Sequence, residues 1–399
     1  MKQALAKRAL SLKPSPTLAL DAKAKQMQKE GIDVVNLGIG EPDFDTPRHI
    51  KEAAVKAIEH GFTKYTPAAG IPELKEAICS KLRRDNALEY DPAQIVVSVG
   101  AKHAIYNALQ VLVDEGDEVI VPAPYWVSYT EMVRLAGGVP VEVPTSQASG
   151  FRASASAIEA AVTPRTKLLM LNSPCNPSGA VYGRKELEAI ADVCLRHGIY
   201  VISDEIYEKL VYDGHEHVSI ASLGNEMKDL SVVINGVSKA FAMTGWRIGY
   251  SAARKDIAKA MADFQSQVTS NPTSISQKAA AAALNGPIEP VLEMVGEFDR
   301  RRKYVVERLQ AMKGVSCHSP EGAFYVYPDV SSFFGKTFGA KTVSNSAELA
   351  DALLSDAKVA VVPGTAFGLD GYIRISYATS MEKLREGLDR IEAFLGSAG

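Results

Sequence analysis

The chain has 399 residues, of which 46% are hydrophobic and 23% charged, the composition of a folded globular protein with room for roughly two to three domains. A formal net charge of −3 excludes a global attraction to nucleic acid or to an anionic membrane surface, so any anion must be held by a local pocket. No apolar run has membrane-spanning length, the basic residues Lys2, Lys7, Arg8 and Lys13 precede no signal-peptide core, and Cys79, Cys175, Cys194 and Cys317 are too dispersed for a zinc cluster or a disulfide framework. The expectation is a cytoplasmic protein that binds no metal, nucleic acid or membrane.

From residue 36 to 254 apolar runs alternate with amphipathic ones. Strands are predicted at 94–99, 118–121, 167–171, 200–203, 232–235 and 248–251, and helices at 71–82, 101–113 and 184–197. This alternation is the signature of an α/β domain, a mostly parallel sheet flanked by helices. Residues 290–312 form a long amphipathic helix whose run Glu297, Asp299, Arg300, Arg301, Arg302 and Lys303 reads as a solvated face. Strands at 323–327, 359–362 and 372–376 with helices at 346–355 and 381–395 then suggest a smaller α+β domain, and 331–342 reads as a loop. The predicted division is an N-terminal segment 1–45, a large domain 46–289, and a linking helix with a small domain 290–399.

Several candidate residues fall just past predicted strands, where open α/β sheets bind ligands. Lys239 follows strand 232–235; burial and a nearby cation such as Arg247 would leave its amine neutral and nucleophilic, although a surface lysine is the plainer reading. Asp204 follows strand 200–203 and suits a protonated ring nitrogen, or else caps a helix; Tyr207 lies three residues on. In Asn172-Ser173-Pro174-Cys175-Asn176-Pro177-Ser178-Gly179 the prolines fix an irregular turn and Asn176 offers an amide, while Cys175 has no partner base. Gly100, Ala101 and Lys102 open a helix and could cradle a phosphate. Trp126 could stack on a planar ligand or fill the core, and Arg374, a lone charge in an alternating strand, suits a carboxylate or a surface acid. Gly335-Lys336-Thr337 lacks the first glycine of a P-loop, and His215-Glu216-His217 offers only two imidazoles with no obvious third metal ligand.

Taken in order, Gly40-Glu41-Pro42-Asp43-Phe44, Tyr65 within Lys64–Gly70, Asn176–Gly179, Ser203–Tyr207, Ser238-Lys239 with Arg247, and Arg374 resemble the class I aminotransferases of the fold-type I pyridoxal-phosphate enzymes over nearly the whole chain. The resemblance implies that Lys239 holds pyridoxal 5′-phosphate as a Schiff base and, once released, moves the proton between substrate Cα and the cofactor. It implies Asp204 on the pyridinium nitrogen, Tyr207 and Asn176 on the ring oxygen, and Trp126 stacked on the ring. Gly100, Ala101, Lys102 and Arg247 would hold the phosphate, and Arg374 the substrate α-carboxylate, with the Gly40 backbone close to the substrate. Tyr65 would reach the phosphate of a second subunit, which makes the expected assembly a homodimer with shared sites. Many relatives carry a serine three residues before the lysine; here that position is Gly236, so phosphate anchoring leans on Ser238, Arg247 or backbone amides.

The wording of these motifs is most similar to the bacterial aspartate aminotransferase subgroup, some members of which also act on prephenate. That implies amino-acid and 2-oxo-acid substrates, with transfer from L-aspartate to 2-oxoglutarate and prephenate as a further acceptor. It also implies that the N-terminal segment lies over the substrate, with Lys13 reading a dicarboxylate or prephenate. Transfer from aromatic or other amino acids, or a carbon–sulfur lyase reaction of the same fold, are the alternatives. A cofactor-binding regulator would need a DNA-binding segment, for which the chain offers no basic recognition helix.

Overall fold

The computed structural model describes residues 5–6, 9–10, 12, 16–339 and 341–399. Its strands, in chain order, are β1 (Val35–Asn36), β2 (Ile95–Ser98), β3 (Glu118–Ala123), β4 (Val139–Pro144), β5 (Thr166–Asn172), β6 (Tyr200–Asp204), β7 (Ser231–Gly236), β8 (Gly249–Ala252), β9 (Tyr325–Val326), β10 (Thr337–Phe338), β11 (Lys341–Thr342), β12 (Val359–Ala360), β13 (Val362–Pro363) and β14 (Ile373–Ser376).

Seven of these form the central sheet in the order β2-β8-β7-β6-β5-β3-β4, with every neighbouring pair parallel except those made by β8. The inner strands are continuous apolar runs, such as Leu168–Leu171 and Val232–Ile234, because helices cover both faces. On one face the helices Ala101–Leu112 and Lys255–Val268 pack Ala104, Ile105, Leu109, Ile257 and Met261 against Val119, Val121, Ile202 and Val232. On the other, Arg184–His197 packs Leu187, Ile190 and Cys194 against Ile120, Leu169 and Val201. The expected mostly parallel α/β sheet is therefore present.

Sequence periodicity misses β1 and β4, the helices Pro16–Lys29, Arg48–Glu59, Lys255–Val268 and Ser274–Asn285, and the short helices Tyr129–Leu135, Ala155–Ala160 and Asn225–Leu230. Strand β4 lies at the sheet edge and is largely solvent-facing; Val139, Val141 and Val143 alternate in it, but Pro140 and Pro144 interrupt the run and demote it as a strand signal. Helix Ser274–Asn285 is buried around an alanine run, which leaves no amphipathic stripe to read.

The remaining strands build small sheets: β1 pairs in parallel with β12, and β13-β14-β9 is antiparallel. Helix Pro16–Lys29 lays Leu20, Ala24 and Met27 against Val34, Leu354 and Ala360, which ties the N-terminal segment to this layer. The stretch read as a loop at 331–342 carries the short hairpin β10–β11.

The helix Glu289–Ala311 corrects one expectation. Its charge run is not simply a solvated face, because Arg301 and Arg302 are buried. Arg302 donates to Asp213 and Asp299 at 2.7 Å, and Arg301 to Asp43 at 2.7 Å and Glu297 at 2.8 Å. The bonds to Asp299 and Glu297 lie within the helix, and those to Asp213 and Asp43 fasten it to segments distant in sequence. No helix among the described residues is long and apolar enough to cross a membrane.

Below the segment that follows β6 lies a buried polar cluster. His217 turns toward Glu205 and Glu208, so the histidine pair does have acidic neighbours that its sequence context did not reveal. Those carboxylates are already engaged: Glu205 by Ser203 at 2.9 Å, Ser219 at 2.6 Å and His217 at 3.1 Å, and Glu208 by Lys81 and by Asn86 at 2.9 Å. Lys81 and Glu208 are 3% and 6% exposed. Removing one member of such a pair leaves an uncompensated buried charge. Lys81→Met is accordingly expected to lower the unfolding free energy by about 3–5 kcal/mol in a denaturant titration; a loss within experimental error would show that the pair is screened.

Candidate active site

The carboxyl ends of β3, β5, β6 and β7 and the loop after β2 converge on a cavity of about 380 Å³. Its lining includes Gly40, Ala101, Lys102, Trp126, Asn176, Asp204, Tyr207, Ser238, Lys239, Arg247 and Arg374, so residues read from seven separate stretches of sequence meet in one place. The volume is that of an ordinary small-molecule pocket.

Lys239 sits in the connection Val237–Ile248 between the antiparallel neighbours β7 and β8. Its Nζ donates to the Gly40 carbonyl at 2.6 Å. Burial pushes the amine down to about 8; Glu41 and Asp204 oppose that shift, and Arg374 and Arg247 reinforce it. The chemistry expected of a reactive lysine, desolvation assisted by a nearby cation, is thus the chemistry of this position.

Asp204 ends β6 and is buried. No helix follows it, so it is not a helix cap; its Oδ1 accepts from the Ile206 amide at 3.2 Å and its Oδ2 from the Tyr129 hydroxyl at 2.6 Å. Burial raises its pKa to about 6, against the pull of those two donors. A raised carboxyl favours the protonated form, so the ligand-free fold gains from protonation below the usual carboxylate range and loses that gain as pH climbs through about 6. A cation placed against Asp204 would restore the carboxylate.

Asn176 and Arg374 meet across the two layers. Arg374 Nη1 donates to Asn176 Oδ1 at 2.9 Å and Nη2 to the Gly38 carbonyl at 2.7 Å, while Nε is buried without a partner. The guanidinium lies 4.4 Å from the Tyr325 ring and 5.1 Å from that of Phe367. Arg374 is therefore not an outward-facing strand residue paired with a surface acid.

Opposite this clamp the helix Ala101–Leu112 begins at Gly100, whose φ of +83° only glycine adopts freely. A Cβ there would stand 2.4 Å from Arg247 Nη2, so the missing side chain lets the guanidinium reach the helix N-terminus. Arg247 donates to the Thr244 and Val99 carbonyls at 2.9 and 3.3 Å. Lys102 lies 4.8 Å over the Trp126 ring, and burial followed by the charge of Arg247 lowers its pKa. Among the described residues no carboxylate forms an ion pair with Lys102, Lys239, Arg247 or Arg374. Two side-chain cations at a helix N-terminus without a counter-charge make an anion site.

Not every expected residue is here. Tyr65 does not line this cavity; the residue is 92% exposed. Lys13 lies outside the described residues. Gly236 ends β7, where a Cβ would press on the Ile248 carbonyl at 2.9 Å, and Ser238 lines the cavity instead. Cys175 is buried and its thiol is pushed up by that burial, the reverse of nucleophile activation. Two contacts escaped sequence reasoning: Tyr129 on Asp204, and Tyr325, whose hydroxyl lies 2.9 Å from that of Tyr207. Tyr129 opens the helix Tyr129–Leu135 and Tyr325 lies in a short strand, and no local pattern at either position points to its partner.

In the ligand-free protein Lys239 should react as an amine that is half neutral near pH 8 rather than near 10.5. Reductive labelling with a small aldehyde, followed at the Lys239 peptide by mass spectrometry, should level off near pH 8; a rate still climbing at pH 10 would contradict the assignment.

The family model described as aminotransferase class I and II matches residues 32–391. An aspartate aminotransferase of Geobacillus stearothermophilus is 52% identical over 391 residues, covering 98% of each chain. An aspartate/prephenate aminotransferase of Cereibacter sphaeroides is 51% identical over 385 residues, covering 96% of each chain. The solved structure of the aspartate aminotransferase from Rhizobium meliloti superposes with a TM-score of 0.96 at 47% identity, covering 100% of both chains. That of the Thermus thermophilus aspartate aminotransferase with maleate gives 0.92 at 47% identity, covering 98% of this chain and 100% of the other. With a site built around a buried, partly neutral lysine and an anion corner, the chain belongs to the class I and II aminotransferase family.

Proposed function

We propose that this protein transfers the amino group of L-aspartate to 2-oxoglutarate, yielding oxaloacetate and L-glutamate, with prephenate as a further acceptor and pyridoxal 5′-phosphate as cofactor. The observation that carries the reading is the joint placement, in one cavity, of the Lys239 amine, the Asp204 carboxyl, and two cationic corners at Arg247 and Arg374. The names of relatives about 50% identical along the whole chain support the choice of substrates.

The donor set fits pyridoxal phosphate. The corner of Gly100, Ala101, Lys102, Ser238 and Arg247 would hold its phosphate, Asp204 its ring nitrogen, Tyr207 and Asn176 its ring oxygen, and Trp126 its ring face. Bound there, the cofactor supplies an aldehyde carbon that carries the amino group and a ring that draws off electrons. The remaining work belongs to the chain. Asp204, raised by burial, becomes a carboxylate against a ring cation and keeps the proton on that nitrogen. Arg374, with its planar fork, fixes the substrate α-carboxylate. Lys239 Nζ, once freed from the cofactor, takes the proton from Cα of the amino acid and returns one to Cα of the oxo acid. The buried lining of Tyr207, Tyr325 and Tyr129 keeps water from this exchange.

Residues 1–45 would belong with the small domain and lie over the substrate, with Lys13 reading the second carboxylate, beside a large domain 46–289 and a small domain 290–399. The exposed Val55, Ile58, Tyr65 and Val268 fit a homodimer in which Tyr65 reaches the partner's phosphate corner.

Single-turnover mixing of the loaded enzyme with aspartate, glutamate, aromatic amino acids and cysteine-type substrates, with product analysis, tests the assignment. Oxaloacetate from aspartate is expected, and pyruvate with free sulfide from cysteine would point to a lyase. Lys239→Ala should abolish turnover and the visible absorbance of the lysine-linked cofactor; retention of both would refute the scheme. Arg374→Lys should lower kcat/KM for both half-reactions by about 10²-fold, the scale of a lost charge-assisted hydrogen bond, while leaving the cofactor spectrum in place.

A further inference from the structure

Tyr325 is the side chain at which the elements of the site touch. It lies on β9, which pairs with the Arg374-bearing strand β14 through Tyr325 and Ser376, and it is 1% exposed. Its ring faces the Arg374 guanidinium at 4.4 Å, and its hydroxyl is 2.9 Å from that of Tyr207. A Cβ on Gly40 would stand 2.7 Å from the same hydroxyl, so Tyr325 also abuts the loop whose Gly40 carbonyl holds Lys239. Arg374 and Tyr325 come from the small sheet, Tyr207 and Lys239 from the connections that follow β6 and β7 of the large one.

A phenol has one hydrogen to give. If Tyr207 gives its hydrogen to the anionic ring oxygen of the cofactor, the hydroxyl contact with Tyr325 can only be a donation from Tyr325 to Tyr207. That donation polarises the Tyr207 O–H and makes it a better donor in turn. The cation above the Tyr325 ring strengthens the first donor, and a substrate carboxylate on Arg374 neutralises that cation and weakens it.

We propose that Tyr325 is a positioning residue that couples occupancy of the Arg374 carboxylate clamp to the proton affinity of the Lys239–cofactor linkage, through its hydrogen bond to Tyr207. This rests on the pyridoxal-phosphate reading above and deepens it. The charged and titratable groups facing Lys239 are Glu41 from the N-terminal loop, Asp204 at the end of β6, Tyr207 after it, Arg247 before β8 and Arg374 on β14; those facing Tyr325 are Tyr207, Arg374 and Glu41. The clamp acts on the linkage through space and through Asn176, which accepts from Arg374 Nη1 at 2.9 Å, and Tyr325 adds a second hydrogen-bonded route.

The test titrates the visible absorbance of the loaded enzyme against pH, with and without saturating succinate, an unreactive dicarboxylate. Absence of a titrating band in the unaltered enzyme would fail the cofactor reading itself. With that band present, Tyr325→Phe, which keeps the ring on Arg374, is expected to raise the midpoint by roughly half a pH unit, the scale of one neutral hydrogen bond. It should also shrink the succinate-induced shift while holding succinate affinity within about 3-fold. Tyr325→Leu, which loses the ring, should weaken succinate more than Tyr325→Phe does. In a Tyr207→Phe background, Tyr325→Phe should add no further change, because its route runs through the missing hydroxyl. A midpoint and succinate shift unchanged in Tyr325→Phe, or an undiminished effect in the Tyr207→Phe background, would overturn the proposal.

Discussion

Burial of the Lys239 amine among other cations is the constraint on which the site is organised. An ordinary lysine is protonated and inert toward a carbonyl at neutral pH; this one is pushed down to about 8 by loss of water before any neighbour acts. Sequestering an amine usually invites a carboxylate partner, which would hold the proton in place and cancel the effect. Here Nζ is given a backbone carbonyl, that of Gly40, which accepts a hydrogen bond without fixing a charge. Arg247 and Arg374 flank the same space with carbonyl and amide partners only. The cavity lining carries Asp21, Glu41 and Asp204 as well as the cations, but among the described residues the corners at Arg247 and Arg374 hold no ion-paired carboxylate and are receptive to a doubly anionic phosphate and to carboxylates.

The architecture explains how so many chemical groups share so little space. Parallel strands send their carboxyl ends to one edge, so Asp204, Asn176 and Trp126 arrive there because the strands before them do. The small sheet contributes Arg374 from the opposite side, and its guanidinium bridges to Asn176 and to the Gly38 carbonyl. The substrate clamp is therefore assembled across layers and is sensitive to how they sit against each other.

The strand ends were legible because an apolar run followed by a polar or glycine residue is a local pattern, and Lys239, Asp204 and Asn176 all obey it. Helices with one wet face, such as Arg184–His197, were equally plain. What local pattern cannot encode is which partner a residue finds from the far side of the chain. Tyr129 and Tyr325 read as ordinary apolar positions, and only their hydroxyl contacts with Asp204 and Tyr207 distinguish them. Arg301 and Arg302 misled in the opposite sense: a charge run looks solvated until acids distant in sequence fold over it. Edge strand β4 failed because Pro140 and Pro144 break its alternating valines, and the helix Ser274–Asn285 because alanines buried all round leave no apolar stripe.

Strand β8 runs against its neighbours, and that reversal has an architectural effect. A parallel successor to β7 would need a crossover carrying the chain back along the sheet to the opposite edge. The antiparallel β8 lets the chain turn round where it stands, so the whole stretch from Val237 to Ile248 remains at the carboxyl edge. One short, covalently continuous arc thereby supplies both the Lys239 amine and the Arg247 guanidinium to the cavity. The spacing of the two is set by that arc as well as by the packing of separate elements, and a one-residue insertion between Lys239 and Arg247 would alter the span between them while leaving every strand of the sheet in register.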